Sequence, residues 1–315
     1  MNKSLEQKLR VGTDCSGIEA PIQALRQLGI PFTHVFSSDI DRFCIQSIKA
    51  NYNPDIIFGD KEGPFPNGDI TERKIDDVPD IDLYVCGFPC QSFSSAGKRK
   101  GFKDKRGNVF WSCLEVIKKK KPKYFILENV KGLLSHDKSK YSNRGEHGKT
   151  WTTIWSALNK LKEYTVKWKV LNTRDYGIPQ NRERVYIVGV KSGNFEWPEK
   201  LKMKSLKDFV DWEDKSFSKP RETWVKKISS LDNPIFINIG FIKNSYKTAN
   251  KICPTLTTGS SQLWCVPLSR YANVKEFCLL QGFKKIVFPC SVTQTRKQLG
   301  NSMSVNVVKA ILEKL

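Results

Sequence analysis

Short apolar runs alternate with amphipathic stretches from Leu9 to Val190, and turn residues mark the junctions. That rhythm limits the chain more than any other feature. The spacing predicts strands over Leu9–Thr13, Thr33–Ser37, Ile56–Phe58, Leu83–Cys86, Tyr124–Leu127, Val166–Leu171 and Val185–Val190. Between them it predicts helices over Ala20–Leu28, Asp41–Asn51, Val109–Lys119 and Trp151–Leu161. Gly29 closes the first helix. Such alternation is solved by a mostly parallel sheet covered on both faces, an α/β fold. After Lys191 the period is lost in a stretch rich in Lys, Ser, Trp and Asn. Helical pattern returns over Val274–Leu280 and Val305–Glu313. The expected organisation is a large first domain at 1–190, a small second domain at 191–252, and a 253–315 segment that holds the rest of the second region and then packs back on the first. Residues 135–149 read as an exposed insertion.

The chain has 315 residues, 39% hydrophobic residues and a net charge of +21. This is enough apolar material for one large domain with a small one appended. So large a positive excess points to a polyanionic partner, nucleic acid above all. The Lys118–Lys121 run also suits a solvated helix end. Nine cysteines are scattered without a CxxC pair, and no His completes a zinc set beside Cys86 and Cys90. The expectation is therefore free thiols in a reducing compartment, no metal, no signal peptide and no membrane span.

The most chemically pointed stretch is Gly87-Phe88-Pro89-Cys90-Gln91-Ser92-Phe93-Ser94. It sets a cysteine behind a proline at the carboxyl end of a buried strand, where open α/β sheets bind ligands. Proline fixes its own backbone angle and restricts its predecessor, which directs the thiol. A buried core cysteine would need none of this. The basic, glycine-hinged loop from Ser94 to Gly101 follows directly. At the first crossover, Asp14-Cys15-Ser16-Gly17-Ile18-Glu19 joins a strand to a helix, as nucleotide-binding folds do. Asp39 ends the second strand, where an acid can bond ribose hydroxyls, and Asp69 ends another loop. Helix caps and turns are the plain alternative for these acids. Glu128 closes the fifth strand in Leu-Glu-Asn-Val. In Gln180-Asn181-Arg182-Glu183-Arg184, the two arginines alternate and face one side of an extended chain.

Taken in order, these segments resemble the cytosine-C5 DNA methyltransferase family. The likeness runs through the glycine loop at 11–25, Gly68-Asp69-Ile70, Gly87–Gln91, Glu128-Asn129-Val130, Gln180–Val185, Leu280-Gln281-Gly282-Phe283 and Gly300-Asn301-Ser302. It implies a Rossmann-like class I methyltransferase sheet with a target-recognition domain. It implies S-adenosylmethionine as cofactor, leaving S-adenosylhomocysteine. The donor would be held by Ser16, Gly17, Glu19, Asp39, Ile40, Asp69, Ile70, Asn301 and Ser302. Within that set, Asp39 would take the ribose, Ile40 the adenine face, Asp69 the adenine amine and Glu19 the methionine amino group. Catalysis would fall to Cys90, Glu128, Arg182 and Arg184: Cys90 as nucleophile, Glu128 at the base N3 and exocyclic amine, Arg184 at O2, and Arg182 supporting the site or a phosphate. Pro89, Gln91, Ser94, Lys98 and Arg99 would meet the DNA.

The implied partner is double-stranded DNA, with a cognate restriction endonuclease acting separately. A monomer is expected, cytoplasmic in a bacterial or viral host cell, or nuclear in a eukaryotic one. Two other readings stay open: an enzyme acting on transfer RNA, though the Cys-Phe-Thr segment of that branch is missing, and a catalytically inactive DNA-binding relative. The chain departs from the family at Thr13, where an acid is usual, at Cys15, where an aromatic is usual, and at Glu19 or Ala20, where a second glycine is usual. Asn273-Val274-Lys275-Glu276 replaces Thr-Pro-Arg-Glu, while Arg270, Glu276 and Gln281 keep their spacing.

Overall fold

A computed structural model describes residues 8–89, 109–138, 145–229, 231–239, 250–259 and 262–315. A seven-stranded sheet carries β1 (Leu9–Asp14), β2 (Phe32–Ser38), β3 (Ile56–Phe58), β4 (Leu83–Cys86), β5 (Tyr124–Val130), β6 (Tyr164–Asn172) and β7 (Glu183–Lys191). Their spatial order is β3-β2-β1-β4-β5-β7-β6. Every pairing is parallel except those of β7, which runs against both β5 and β6. The first two crossovers build outward from β1 in one direction. The chain then returns to β4 on the other side, leaving a crevice at the carboxyl ends of β1 and β4.

The helices are α1 (Ala20–Leu28), α2 (Arg42–Asn51), α3 (Val109–Lys120), α4 (Lys149–Leu158), α5 (Glu222–Ile228), α6 (Val274–Gln281), α7 (Val292–Asn301) and α8 (Val305–Leu312). Strand residues alternate between two cores, as the pleat requires. Leu83, Val85 and Ile126 join α1, α6, α7 and α8 on one face. Tyr84, Cys86, Phe125 and Leu127 join α3 and α4 on the other. The carboxyl-terminal helix α8 lies against α1.

Most predicted elements stand with ends moved by a few residues, and three differences carry meaning. The fifth strand continues through Glu128 to Val130, because β7 pairs with it over that whole length. α7 has no clear signature in the sequence, since Thr, Gln, Arg and Lys dominate it and only a narrow face, including Thr295, Gln298 and Leu299, is buried. His136, placed in the exposed insertion, is fully buried, with Nδ1 2.7 Å from the Thr150 hydroxyl.

The sequence sets a second domain at 191–252, and packing divides that region. Phe195, Leu206, Phe209 and Val210 belong to the core of the main body. A separate antiparallel sheet consists of β8 (Phe236–Asn238), β9 (Leu263–Cys265) and β10 (Arg270–Tyr271), so residue 252 falls between two of its strands. Ile237, Ile239 and Trp264 form its small core, with Trp224 and Ile228 of α5 packed on them. Buried Arg270 fixes the way back to the main body: two guanidinium nitrogens donate to the two Glu276 oxygens at 2.9 Å. Glu276 also closes a capping box with Asn273 at the start of α6.

Candidate active site

β4 delivers the chain to Gly87-Phe88-Pro89 at the carboxyl edge of the sheet. A side chain at position 87 would press on the flexible end of Met303 and touch Glu128. An added Cβ would lie 2.9 Å from the Met303 methyl and 3.5 Å from Glu128 Oε2. The next strand holds this turn, because Asn129 Nδ2 donates to the Phe88 carbonyl at 3.0 Å. Asn129 Oδ1 in turn accepts from the Val130 amide at 2.9 Å. Asn129 and Met303 are thus site residues whose roles the sequence does not separate from their motifs. Cys90, Gln91, Ser94, Lys98 and Arg99 lie outside the described residues.

Glu128 sits beside this turn and is 8% exposed. The reversed direction of β7 explains its partner. In the β5–β7 register, Val130 opposes Arg184, so Glu128 and Arg184 are diagonal neighbours on one face. Arg184 Nε lies 3.1 Å from Glu128 Oε1. Burial pushes the Glu128 carboxyl up, against the charges of Arg184 and Arg182. A carboxyl so placed holds a proton more readily than an ordinary glutamate and can return it to a bound base.

Arg182 occupies a different position from a phosphate contact. It is 2% exposed, and its two terminal nitrogens donate to the Leu256 and Ser302 carbonyls at 2.6 Å each. Both carbonyls lie on the returning carboxyl-terminal segment, so the guanidinium fork is a clamp behind the site. Gln180 adds to the clamp. Its amide donates to the Leu280 carbonyl at 2.7 Å, and its oxygen accepts from the Leu256 amide at 3.0 Å. Gln281 bonds Gln180, and its amide also reaches the Leu299 carbonyl. The Gln180–Arg184 motif therefore divides into a buried zipper and one arginine at the site.

The other end of the crevice is formed by the loops after β1, β2 and β3. Gly17 has φ +57°, and a Cβ there would meet no atom within 4 Å. Its amide donates to Asp39 Oδ2 at 2.8 Å, while Asp39 Oδ1 accepts from the Asp41 amide at 2.9 Å. Even with these two donors, burial raises Asp39 to about 6. Ile40 beside it is 74% exposed, an apolar side chain with an open face. Open space at Gly17, an acid at Asp39 and an uncovered Ile40 suit a ligand with a ribose and a flat apolar ring. Asp69 Oδ1 accepts from the Thr71 amide and hydroxyl at 2.9 and 2.7 Å, and Ile70 is buried against the core of the α3 face. Asn301 is exposed at the end of α7, whereas Ser302 is buried with its hydroxyl on the Met303 carbonyl.

Two loop residues stand apart from the expected contacts. Glu19 is wholly buried, and one of its oxygens accepts the Thr13 and Ser37 hydroxyls at 2.5 and 2.6 Å. Its carboxylate is thus engaged inside the protein and does not reach into the crevice toward an amino group. Asp14 also turns inward, accepting both terminal nitrogens of Arg73 at 2.8 Å and the Tyr84 hydroxyl at 2.7 Å. The buried Arg73 escapes sequence reasoning, because nothing local in Thr71-Glu72-Arg73 signals an inward arginine.

A mostly parallel seven-stranded sheet with this strand order, with an acid after β2 and a buried glutamate in β5, has the class I methyltransferase fold. Structural comparison agrees on the fold. The S. pombe Dnmt2 methyltransferase superposes with a TM-score of 0.70 at 20% identity, covering 97% of both chains. The Entamoeba histolytica methyltransferase EhMeth gives 0.68 at 18%, covering 98% of both. In sequence, the C-5 cytosine-specific DNA methylase family matches residues 14–315, and the chain belongs to that family. The Type II methyltransferase M1.ScrFI of Lactococcus lactis subsp. cremoris is 37% identical over 300 residues, 89% of this chain and 71% of its own length. M.HaeII of Haemophilus aegyptius is 37% identical over 289 residues, covering 88% of this chain and 84% of that protein. The protein is thus a methyltransferase, and family and fold imply a methyl donor. Among the described residues, no helix is long and apolar enough to cross a membrane.

Proposed function

We propose that this protein transfers a methyl group from S-adenosylmethionine to C5 of a cytosine flipped out of duplex DNA at a specific sequence. The observation that carries the reading is the protonation-prone Glu128, paired with Arg184 and set against Gly87 in the turn that leads through Pro89 to Cys90. C5 of cytosine is a weak nucleophile. The Cys90 thiolate adds to C6, and its electron pair forms the S–C6 bond. Glu128 hydrogen-bonds N3 and the exocyclic amine and gives N3 a proton as the ring takes up charge, so C5 becomes enamine-like. Arg184 donates to O2 and holds Glu128 in place. A bound sulfonium donor would supply an electrophilic methyl group: the enamine electrons would form the C5–methyl bond as the S–methyl bond breaks, leaving the thioether S-adenosylhomocysteine. A base, water or a hydroxyl, then removes the C5 proton, the electrons of the C5–H bond restore the C5–C6 double bond as Cys90 leaves, and N3 returns its proton to Glu128.

For the donor, Asp39 accepts the ribose hydroxyls, Ile40 covers the adenine face, and Asp69 with Ile70 meets the adenine edge. Ser16, Gly17, Asn301 and Ser302 line the methionine end. The target base must leave its stack to reach the site. The basic segment with Ser94, Lys98 and Arg99 contacts DNA, and the α5/β8–β10 unit serves target recognition. We further propose a monomer in the host cell that works beside a separate restriction endonuclease.

The test is transfer of a labelled methyl group from S-adenosylmethionine to mixed-sequence duplex DNA, with Cys90→Ala in parallel and transfer RNA as the rival substrate. Label in DNA cytosine with wild type but not the variant is the expected result. Label only in RNA, or DNA binding without any label, would overturn the proposal.

A further inference from the structure

We propose that Glu19 is a positioning residue that braces the donor-binding loop from inside, tying the ends of β1 and β2 to the start of α1. The inference rests on the donor reading of this crevice. Glu19 sits at φ 60°, ψ 53°, immediately before α1. A left-handed backbone is strained for a residue that carries a Cβ. Its carboxylate is also wholly buried, and Oε2 has no hydrogen-bond partner among the described residues. Glycine would remove both penalties, so glutamate must return something that glycine cannot.

What it returns is a set of cross-links at Oε1. Thr13 near the end of β1 donates at 2.5 Å, and Ser37 near the end of β2 donates at 2.6 Å. His34 Nε2 lies 3.0 Å from the Ser37 hydroxyl and 3.5 Å from the same Glu19 oxygen. These bonds also fix a direction for the hydroxyls. With the Thr13 proton committed to Glu19, the Ser16 hydroxyl is the donor toward Thr13, whose Oγ1 lies at 2.7 Å and whose carbonyl accepts from Ser16 at 3.0 Å. A lone pair on Ser16 Oγ then remains for the Ser38 amide, which donates to it at 2.9 Å. The Ser16 amide reciprocates by donating to the Ser38 carbonyl at 2.9 Å. The next residues on each side are Gly17 and Asp39, joined at 2.8 Å. The carboxylate therefore anchors a chain of bonds that ends at the acid proposed to hold the ribose.

Glu19→Gly and Glu19→Gln separate the possibilities. Gln keeps a carbonyl oxygen able to accept both hydroxyls. Gly relaxes the backbone and removes the anchor. The first readout needs no cofactor: amide hydrogen exchange in the free protein. We expect Ser16, Gly17 and Ser38 to exchange faster in Glu19→Gly, with Leu83–Cys86 unchanged and Glu19→Gln like wild type. The second readout is S-adenosylhomocysteine affinity by calorimetry. Loss of preorganisation should weaken it about tenfold or more in Glu19→Gly and by less than about threefold in Glu19→Gln. In turnover the donor KM should rise more than kcat falls. Glu19→Gly with wild-type protection and affinity would overturn the brace. If wild type itself fails to bind S-adenosylhomocysteine, the donor reading falls, and the exchange data still decide the brace.

Discussion

Arg182 offers a sharp test, because a structural clamp and a phosphate contact respond oppositely to the same two substitutions. As a clamp it makes two bonds of 2.6 Å to the Leu256 and Ser302 carbonyls while 2% exposed. Arg182→Met preserves much of the volume and removes the buried charge. Ser302 O still accepts from Gln281 at 3.3 Å, so the main loss is the donor to Leu256 O. An unsatisfied buried carbonyl costs about 1–3 kcal/mol. Arg182→Lys keeps the charge but has no planar fork, so one ammonium cannot occupy both positions. Breaking the partners of a buried charge costs about 3–5 kcal/mol. Lysine should therefore destabilise the protein more than methionine. Urea unfolding of the three proteins supplies the stability differences, and DNA affinity against salt concentration supplies the contrast. A phosphate contact would give the reverse order, with lysine close to wild type and methionine shallower in salt slope by about one unit. Wild-type stability in both variants, with a reduced salt slope in Arg182→Met, would refute the clamp.

Glu128→Gln should lower methyl transfer by about 10²–10⁴-fold in a single-turnover assay. Burial raises this carboxyl in the folded protein, so its contribution to stability is present at low pH and is lost as pH rises through the folded value. The Gln variant should lack that part of the pH dependence in urea titrations. Asp39 behaves alike over a defined window: raised from 3.8 to about 6, it favours the fold below 3.8 and loses that contribution as pH rises through about 6. Asp39→Asn should flatten stability across this window and weaken S-adenosylhomocysteine about 10–100-fold by calorimetry. In wild type that affinity should fall as pH drops through about 6. Gly87→Ala forces a methyl toward Met303 and Glu128, so turnover should fall, and Met303→Ala in the same chain should recover part of it.

The local signals in this chain are strong where one element can speak for itself. Apolar runs bounded by turn residues place β1, β2, β4, β5 and β7, because strands buried on both faces need continuous hydrophobic sequence, while the edge strands β3 and β6 are only partly buried. α1 is legible from its apolar face and from Gly29, whose left-handed conformation closes it. Pro89-Cys90, Asp39 and Glu128 stand out because each stands at the carboxyl end of a strand, where open α/β sheets bind ligands. The small α5/β8–β10 unit is not legible. Its strands are two or three residues long, and they are paired by tertiary contact rather than by pattern.

Direction and depth were decided only in three dimensions. Nothing in Glu183-Arg184-Val185 says that β7 runs against β5, yet that reversal brings Arg184 to Glu128. Arg182 and Arg184 look equivalent in the sequence and differ wholly in the fold: one is sealed under the returning carboxyl-terminal segment, the other faces the carboxylate. The family resemblance implies a cofactor contact for Glu19, and a left-handed backbone turns it inward onto Thr13 and Ser37. Sequence by itself determined which residue types stand at which strand ends, since periodicity and turn chemistry are local. Tertiary structure decided which of them face the crevice, because facing depends on strand direction, register and the segment that packs behind.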